Sequence, residues 1–222
     1  LDGLKATLWV LMAAVFTAFA AAVAMALPSW LAVSAFALAA LALSAIDLGL
    51  PSRAWRAFAC LSSIFALIFA FAAAHALLNE TSDWPPLALI ATGFVAPSAI
   101  TGAAALAGKR RQARMSAGFL ESAAIALGVA AADLAVRVVY AGGAVMLEPI
   151  SFAEFGAHVG VWLLAALGLR MRARHGARRV RIAFANVMLV VAIGVLLAAA
   201  ALYACFLADV IDRVREATRL VD

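Results

Sequence analysis

Charge is scarce in this sequence. Asp, Glu, Lys and Arg make up 13% of its 222 residues and 68% are hydrophobic, whereas roughly a quarter of a soluble globular domain is charged. With a mean hydropathy of +1.08 the chain falls outside the soluble and the disordered classes, and the bilayer is its expected solvent. A formal charge of +5 in a soluble protein would suggest nucleic acid. Here the basic residues cluster between apolar runs, the pattern that sets membrane topology. Cysteine is nearly absent: Cys60 and Cys205 lie in separate apolar runs near opposite faces, which excludes a disulfide framework. Lys5 and Lys109 are the only lysines, so the last apolar run has none to carry a retinal Schiff base. A His-Glu-x-x-His zinc motif, a Gly-x-Ser-x-Gly elbow and a phosphate-binding glycine loop are also missing. No cofactor and no metal is expected. The excess of Arg over Lys, with abundant alanine, looks like a GC-rich bacterial genome.

About 20 apolar residues cross about 30 Å of hydrocarbon, so the length holds seven or eight crossings and no separate soluble domain. The apolar runs predict an all-α, polytopic transmembrane bundle over 1–208, with about seven helices at 7–27, 30–47, 55–78, 87–107, 115–140, 152–171 and 182–207. The first run ends near Ala24, Met25 and Ala26 like a signal peptide, but it is long for one and reads as a retained helix. Pro28 and Ser29 predict a tight hairpin, Gly49 to Arg53 a second turn, and Asn79 to Pro86 the clearest polar loop, with Trp84 suited to the headgroup layer. The glycosylation-like match at Asn79 to Thr81 is expected to be chance. Pro97 should kink the fourth helix by removing a backbone donor, and Gly142 and Gly143 should end the fifth. Over 209–222, Val210, Val214, Ala217 and Val221 share one helical stripe, which predicts an amphipathic tail on the membrane surface or the start of a connection to a further segment.

Assigning alternate loops to alternate sides tests this organisation. One side collects Lys5, Arg53, Arg56, Lys109, the arginines from 110 to 114 and those from 170 to 181, thirteen basic residues in all; the other holds Arg137, Arg213, Arg215 and Arg219 together with Glu80 and Asp83. Cytoplasmic loops hold most of the Lys and Arg. The expectation is a multi-pass protein of the bacterial inner membrane, with its N-terminus cytoplasmic and its C-terminus outside.

Ionisable groups near a bilayer centre cost about 2.5–3.5 kcal/mol each on insertion scales, so those that persist find partners. Asp133 and Arg137 stand four apart near the outer end of the fifth helix, and Glu154 and His158 stand four apart near the outer end of the sixth. A short connection makes these helices antiparallel neighbours. Asp133, Arg137, Glu154 and His158, with His75 at a similar depth, are therefore predicted to form one polar cluster in which Arg137 meets Asp133 or Glu154. The competing reading is a structural ion pair and a packing histidine. Haem ligation by His75 and His158 is disfavoured for want of other support. Glu121 is expected to be a snorkelling or helix-terminal carboxylate, paired with Lys109 or Arg114 or protonated, and Asp47 and Asn186 to sit at helix ends near the cytoplasmic surface. Gly156 and Gly160 form a small-residue step through which another helix is expected to approach closely.

The run Ser151-Phe152-Ala153-Glu154-Phe155-Gly156-Ala157-His158-Val159-Gly160-Val161-Trp162-Leu163, preceded by Arg137-Val138-Val139-Tyr140-Ala141-Gly142-Gly143, resembles the bacterial domain-of-unknown-function 2339 family of polytopic membrane proteins, most closely over about residues 137–181. That resemblance implies a fragment or shortened relative of a longer protein and implies no reaction.

Three functions follow in order of expectation. The first is a non-enzymatic structural or assembly subunit of a bacterial envelope complex, or one module of a larger polytopic protein. Its partners would be membrane lipids and other membrane subunits or further helices, and not nucleic acid. The second is a transporter or channel that uses the outer polar cluster, although no inverted repeat is visible. The third is a membrane enzyme acting on a lipid or cell-wall precursor with Glu154 or His158 as acid or base.

Overall fold

The computed structural model describes residues 2–78, 84–110, 113–141, 151–175 and 178–219. Within them the chain is helical, and no strand occurs among the described residues. In hydrocarbon each segment must satisfy its own backbone donors and acceptors, which is why apolar runs of this length form helices. The first three helices are α1 (Asp2–Ala26), α2 (Ser29–Gly49) and α3 (Arg53–Leu78). α4 (Pro86–Arg110) is composite, with a π-helical turn at Ala91–Val95 between two α-helical stretches. α5 (Arg114–Tyr140), α6 (Phe152–Arg172) and α7 (Arg178–Arg219) follow.

Six of these, α1 to α5 and α7, are long and apolar enough to cross a membrane. The chain is a multi-pass membrane protein. The expected seven crossings stand at six by this measure, α6 being the one outside it. The tail also differs from expectation: α7 continues unbroken through Asp209 to Arg219, so no separate surface helix begins there. No Gly or Pro lies between Leu207 and Arg219 to interrupt the ladder of backbone bonds. Residues 79–83 of the loop expected from Asn79 to Pro86, and the glycine pair Gly142 and Gly143, lie outside the described residues.

Three helix pairs, α2 with α3, α4 with α5 and α6 with α7, pack against one another. The first pair lies on the second through α2 on α4 and α3 on α5, and the third pair packs on the α5 side, leaving α1 at the edge against α2 and α3. α5 is therefore central. The alternation gathers Arg53, Arg56, Lys109, Arg114, Arg172 and Arg181 at one end of the bundle, called here the basic end. The main core is aromatic on one side and alanine on the other. Phe36 stacks on Phe65 and Phe69 at ring distances of 5.2 and 5.4 Å, and Phe16 of α1 reaches Phe58 and Phe65 at 5.5 and 5.7 Å. Ala32, Ala66, Ala70 and Ala73 are buried in the same core.

The irregularity near Pro97 takes the form of the π-helical turn. The Ala96 N–H donates to the Ala91 carbonyl, five residues back. In that register the Thr92 carbonyl would look to the nitrogen of Pro97, which carries no hydrogen. Ser34 of α2 supplies the missing donor, its Oγ lying 2.7 Å from that carbonyl. Proline in α4 is thus accommodated by a hydroxyl on a neighbouring helix, as membrane helices commonly allow.

Close helix approach occurs at glycines other than those expected. Among the described residues nothing lies within 4 Å of a Cβ built at Gly156 or Gly160, whereas one at Gly108 would come 3.2 Å from Ala117 Cβ and 3.5 Å from its Cα, and one at Gly93 would come 3.2 Å from Trp30 Cβ. The small-residue step of α6 meets no described helix, and Gly156 is exposed. A motif of small residues four apart is weakly specific in an alanine-rich chain. Gly108→Leu is expected to cost about 1–3 kcal/mol by forcing α4 from α5, with Gly156→Leu near zero. Denaturation in mixed micelles measures both, and equal losses would remove the distinction.

Candidate functional site

Two polar clusters, each built around a buried carboxylate, join helices at opposite ends of the bundle. The first assembles where α5 ends and α6 begins. Ser151 caps α6, its Oγ accepting the Glu154 N–H at 3.1 Å. That cap fixes the first turn and aims the Glu154 side chain at α5, with its charge near the positive end of the helix dipole. Arg137 answers across the gap, Nη1 donating to both carboxylate oxygens at 3.1 Å. The pair is deeply buried, with Arg137 7% and Glu154 1% exposed.

One helical turn further along α6, His158 Nδ1 lies 2.7 Å from Asp133 Oδ1, and Trp162 Nε1 donates to the same oxygen at 2.9 Å. Which of the two atoms carries the shared proton follows the imidazole tautomer. The other ring nitrogen of His158 stands 3.5 Å from Glu154 Oε1, so the two carboxylates are bridged by one imidazole. Spacings of four on both helices bring this about: 133 and 137 on one face of α5 meet 154, 158 and 162 on one face of α6.

The structure thus brings Asp133, Arg137, Glu154 and His158 together, with Arg137–Glu154, His158–Asp133 and Trp162–Asp133 running between helices. His75 is exposed near the end of α3 and takes no part in these bonds. Trp162 is a member that sequence reasoning missed, although its place four residues after His158 carried the signal.

The second cluster, at the basic end, was foreseen only in its pairing of Glu121 with Lys109. Glu121 of α5 receives Lys109 of α4 at 2.8 Å, Arg172 of α6 at 2.6 Å and Arg181 of α7 at 2.8 Å. Arg181 also donates to the Arg172 carbonyl at 2.6 Å. Of the expected partners Lys109 is present. Arg114 makes no described bond to Glu121, and the carboxylate is the junction of four helices rather than a snorkelling group. Nothing in the spacing of 121, 172 and 181 could reveal this, because the three helices meet only in the tertiary fold. Asp47, buried at the end of α2, accepts from the Ser52 N–H at 2.9 Å and from Arg56 at 3.0 Å, tying the turn into α3. Arg170 donates to Asn186 at 3.1 Å between α6 and α7.

Chemically, the first cluster is a chain of exchangeable protons held between two carboxylates, and the second is a carboxylate saturated by cations. Glu154 has almost no surface with which to meet a substrate. Among the described residues no group of three or more His, Cys, Asp or Glu is placed to hold a metal ion. No protein family, curated protein or solved structure matches the chain.

Proposed function

We propose that this chain is a non-enzymatic structural or assembly component of a bacterial inner membrane, either a subunit of an envelope complex or a module of a larger polytopic protein similar to the domain-of-unknown-function 2339 family. The observation that carries this reading is that the buried carboxylates Asp47, Glu121 and Glu154 are each engaged by cations that tie helices to one another or brace a turn. A carboxylate that exchanges a proton directly with a substrate, by contrast, needs a face open to it. The outward faces of α1 and α7, with Val10, Met25, Val190 and Leu197 exposed, suit lipid or additional helices.

α6 is the seventh crossing in this proposal. Its 21 residues span about 31 Å at 1.5 Å per residue, and it packs between crossing partners. The N-terminus is then cytoplasmic and the C-terminus outside, with the basic end in the cytoplasm. Single cysteines at Asp83 and Glu148 are expected to react with an impermeant thiol reagent from outside, and ones at Gln112 and Gly176 to stay unreacted; all four positions lie outside the described residues. The inverse labelling would overturn the orientation.

The transporter reading retains one supporting observation, the continuous Arg137, Glu154, His158 and Asp133 chain. Purified protein in liposomes is expected to give no solute or proton flux above empty liposomes and no turnover of lipid-linked substrates. Flux abolished by Glu154→Gln would favour the transporter, and turnover the enzyme.

A further inference from the structure

A cleft of about 500 Å³ runs along α4 and α5. Its wall is largely apolar, made of small residues such as Ala99, Gly102 and Ala103 of α4 and Gly128 of α5, with Leu106 and Ile125 beside them. Its foot is polar, formed by Lys109, Glu121 and Arg172. From Glu121 to Gly128 the wall rises about 10 Å along α5 at 1.5 Å per residue, from the basic end toward the middle of the bundle. This is the direction in which a lipid of that leaflet lies, headgroup at the interface and chain inward.

The charge at the foot decides what fits. Glu121 carries one negative charge and faces three cations, Lys109, Arg172 and Arg181, so positive charge remains in excess. Arg181 is buried, but the side chains of Lys109 and Arg172 are 45% and 61% exposed. Each is bonded to Glu121 through a single nitrogen in the described contacts, and an ammonium has three donors and a guanidinium five. Donors are therefore left to face the bilayer interface. A neutral lipid would fill the wall and leave this charge unanswered. A small free anion would answer the charge and leave the wall empty. Basic pockets between transmembrane helices are the kind of site that takes anionic headgroups.

We propose that this cleft binds one anionic phospholipid, its phosphate held by Lys109 and Arg172 and one acyl chain lying along the apolar wall. The site needs the membrane but not the choice between structural component and transporter. Native mass spectrometry of the full chain in detergent provides the test, with phosphatidylglycerol as the probe and phosphatidylcholine and inorganic phosphate as comparators. Phosphatidylglycerol is expected to bind roughly tenfold tighter than phosphatidylcholine. Lys109→Gln combined with Arg172→Gln should erase that preference. Ala103→Phe fills the wall from an exposed position, and should weaken phosphatidylglycerol binding by roughly tenfold while leaving any phosphate adduct unchanged. Equal binding of the two lipids to the unaltered protein would overturn the proposal. So would an unchanged affinity in Ala103→Phe, and that arm alone decides if the double variant fails to fold. Displacement of phosphatidylglycerol by inorganic phosphate with no effect of Ala103→Phe would assign the foot to a free ion and also overturn it.

Discussion

Replacing Glu121 with glutamine is expected to lower the unfolding free energy of the bundle by about 3–5 kcal/mol, the range found when one partner of a buried ion pair is removed. The loss should come chiefly from Arg181, whose side chain is 8% exposed and cannot turn to water when its carboxylate goes. Lys109 and Arg172 are much more exposed and can rehydrate, so Lys109→Gln and Arg172→Gln should each cost less than about 1 kcal/mol. The effect is large because α4, α6 and α7 each send a cation to this one side chain of α5. Denaturant titration in mixed micelles measures the ranking. A Glu121→Gln variant no less stable than Lys109→Gln would show that the junction contributes nothing as a unit.

The second large effect is expected at the opposite end. Arg137→Gln and Glu154→Gln should each destabilise by about 3–5 kcal/mol, because each removes one member of a buried ion pair. Replacing both, Arg137→Met with Glu154→Leu, should recover much of that loss, since two apolar side chains of similar volume need no partner. A double-mutant cycle with coupling above about 2 kcal/mol identifies the pair as a helix staple. If Glu154→Gln left stability unchanged while abolishing flux in liposomes, the structural reading would fall and the transporter reading would replace it.

The chain's class and its helices were legible in the sequence because they depend on local chemistry. A run of about 20 apolar residues has few ways to satisfy its backbone in lipid, and Pro28, Pro51 and the Pro85–Pro86 pair punctuate the runs where the structure has breaks. The first polar cluster was legible for a related reason. Asp133 with Arg137 and Glu154 with His158 sit on consecutive helices, and a spacing of four places each pair on one face whatever the rest of the bundle does.

What depends on helices distant in sequence was not legible. The Glu121 junction unites residues 109, 121, 172 and 181, and which helix lies beside α5 is decided by packing rather than by any periodicity. The close approaches at Gly93 and Gly108 were not legible for the same reason, since a glycine marks close approach only when another helix is there to approach. The sequence by itself determined a multi-pass helical protein, its basic clusters and two pairs of facing charges, because hydrophobic length and helical spacing are local. Only the tertiary structure decided which cations Glu121 gathers, that Ser34 serves the carbonyl orphaned by Pro97, and where the helices leave an apolar cleft with a charged foot, because each requires side chains from separate helices to meet in space.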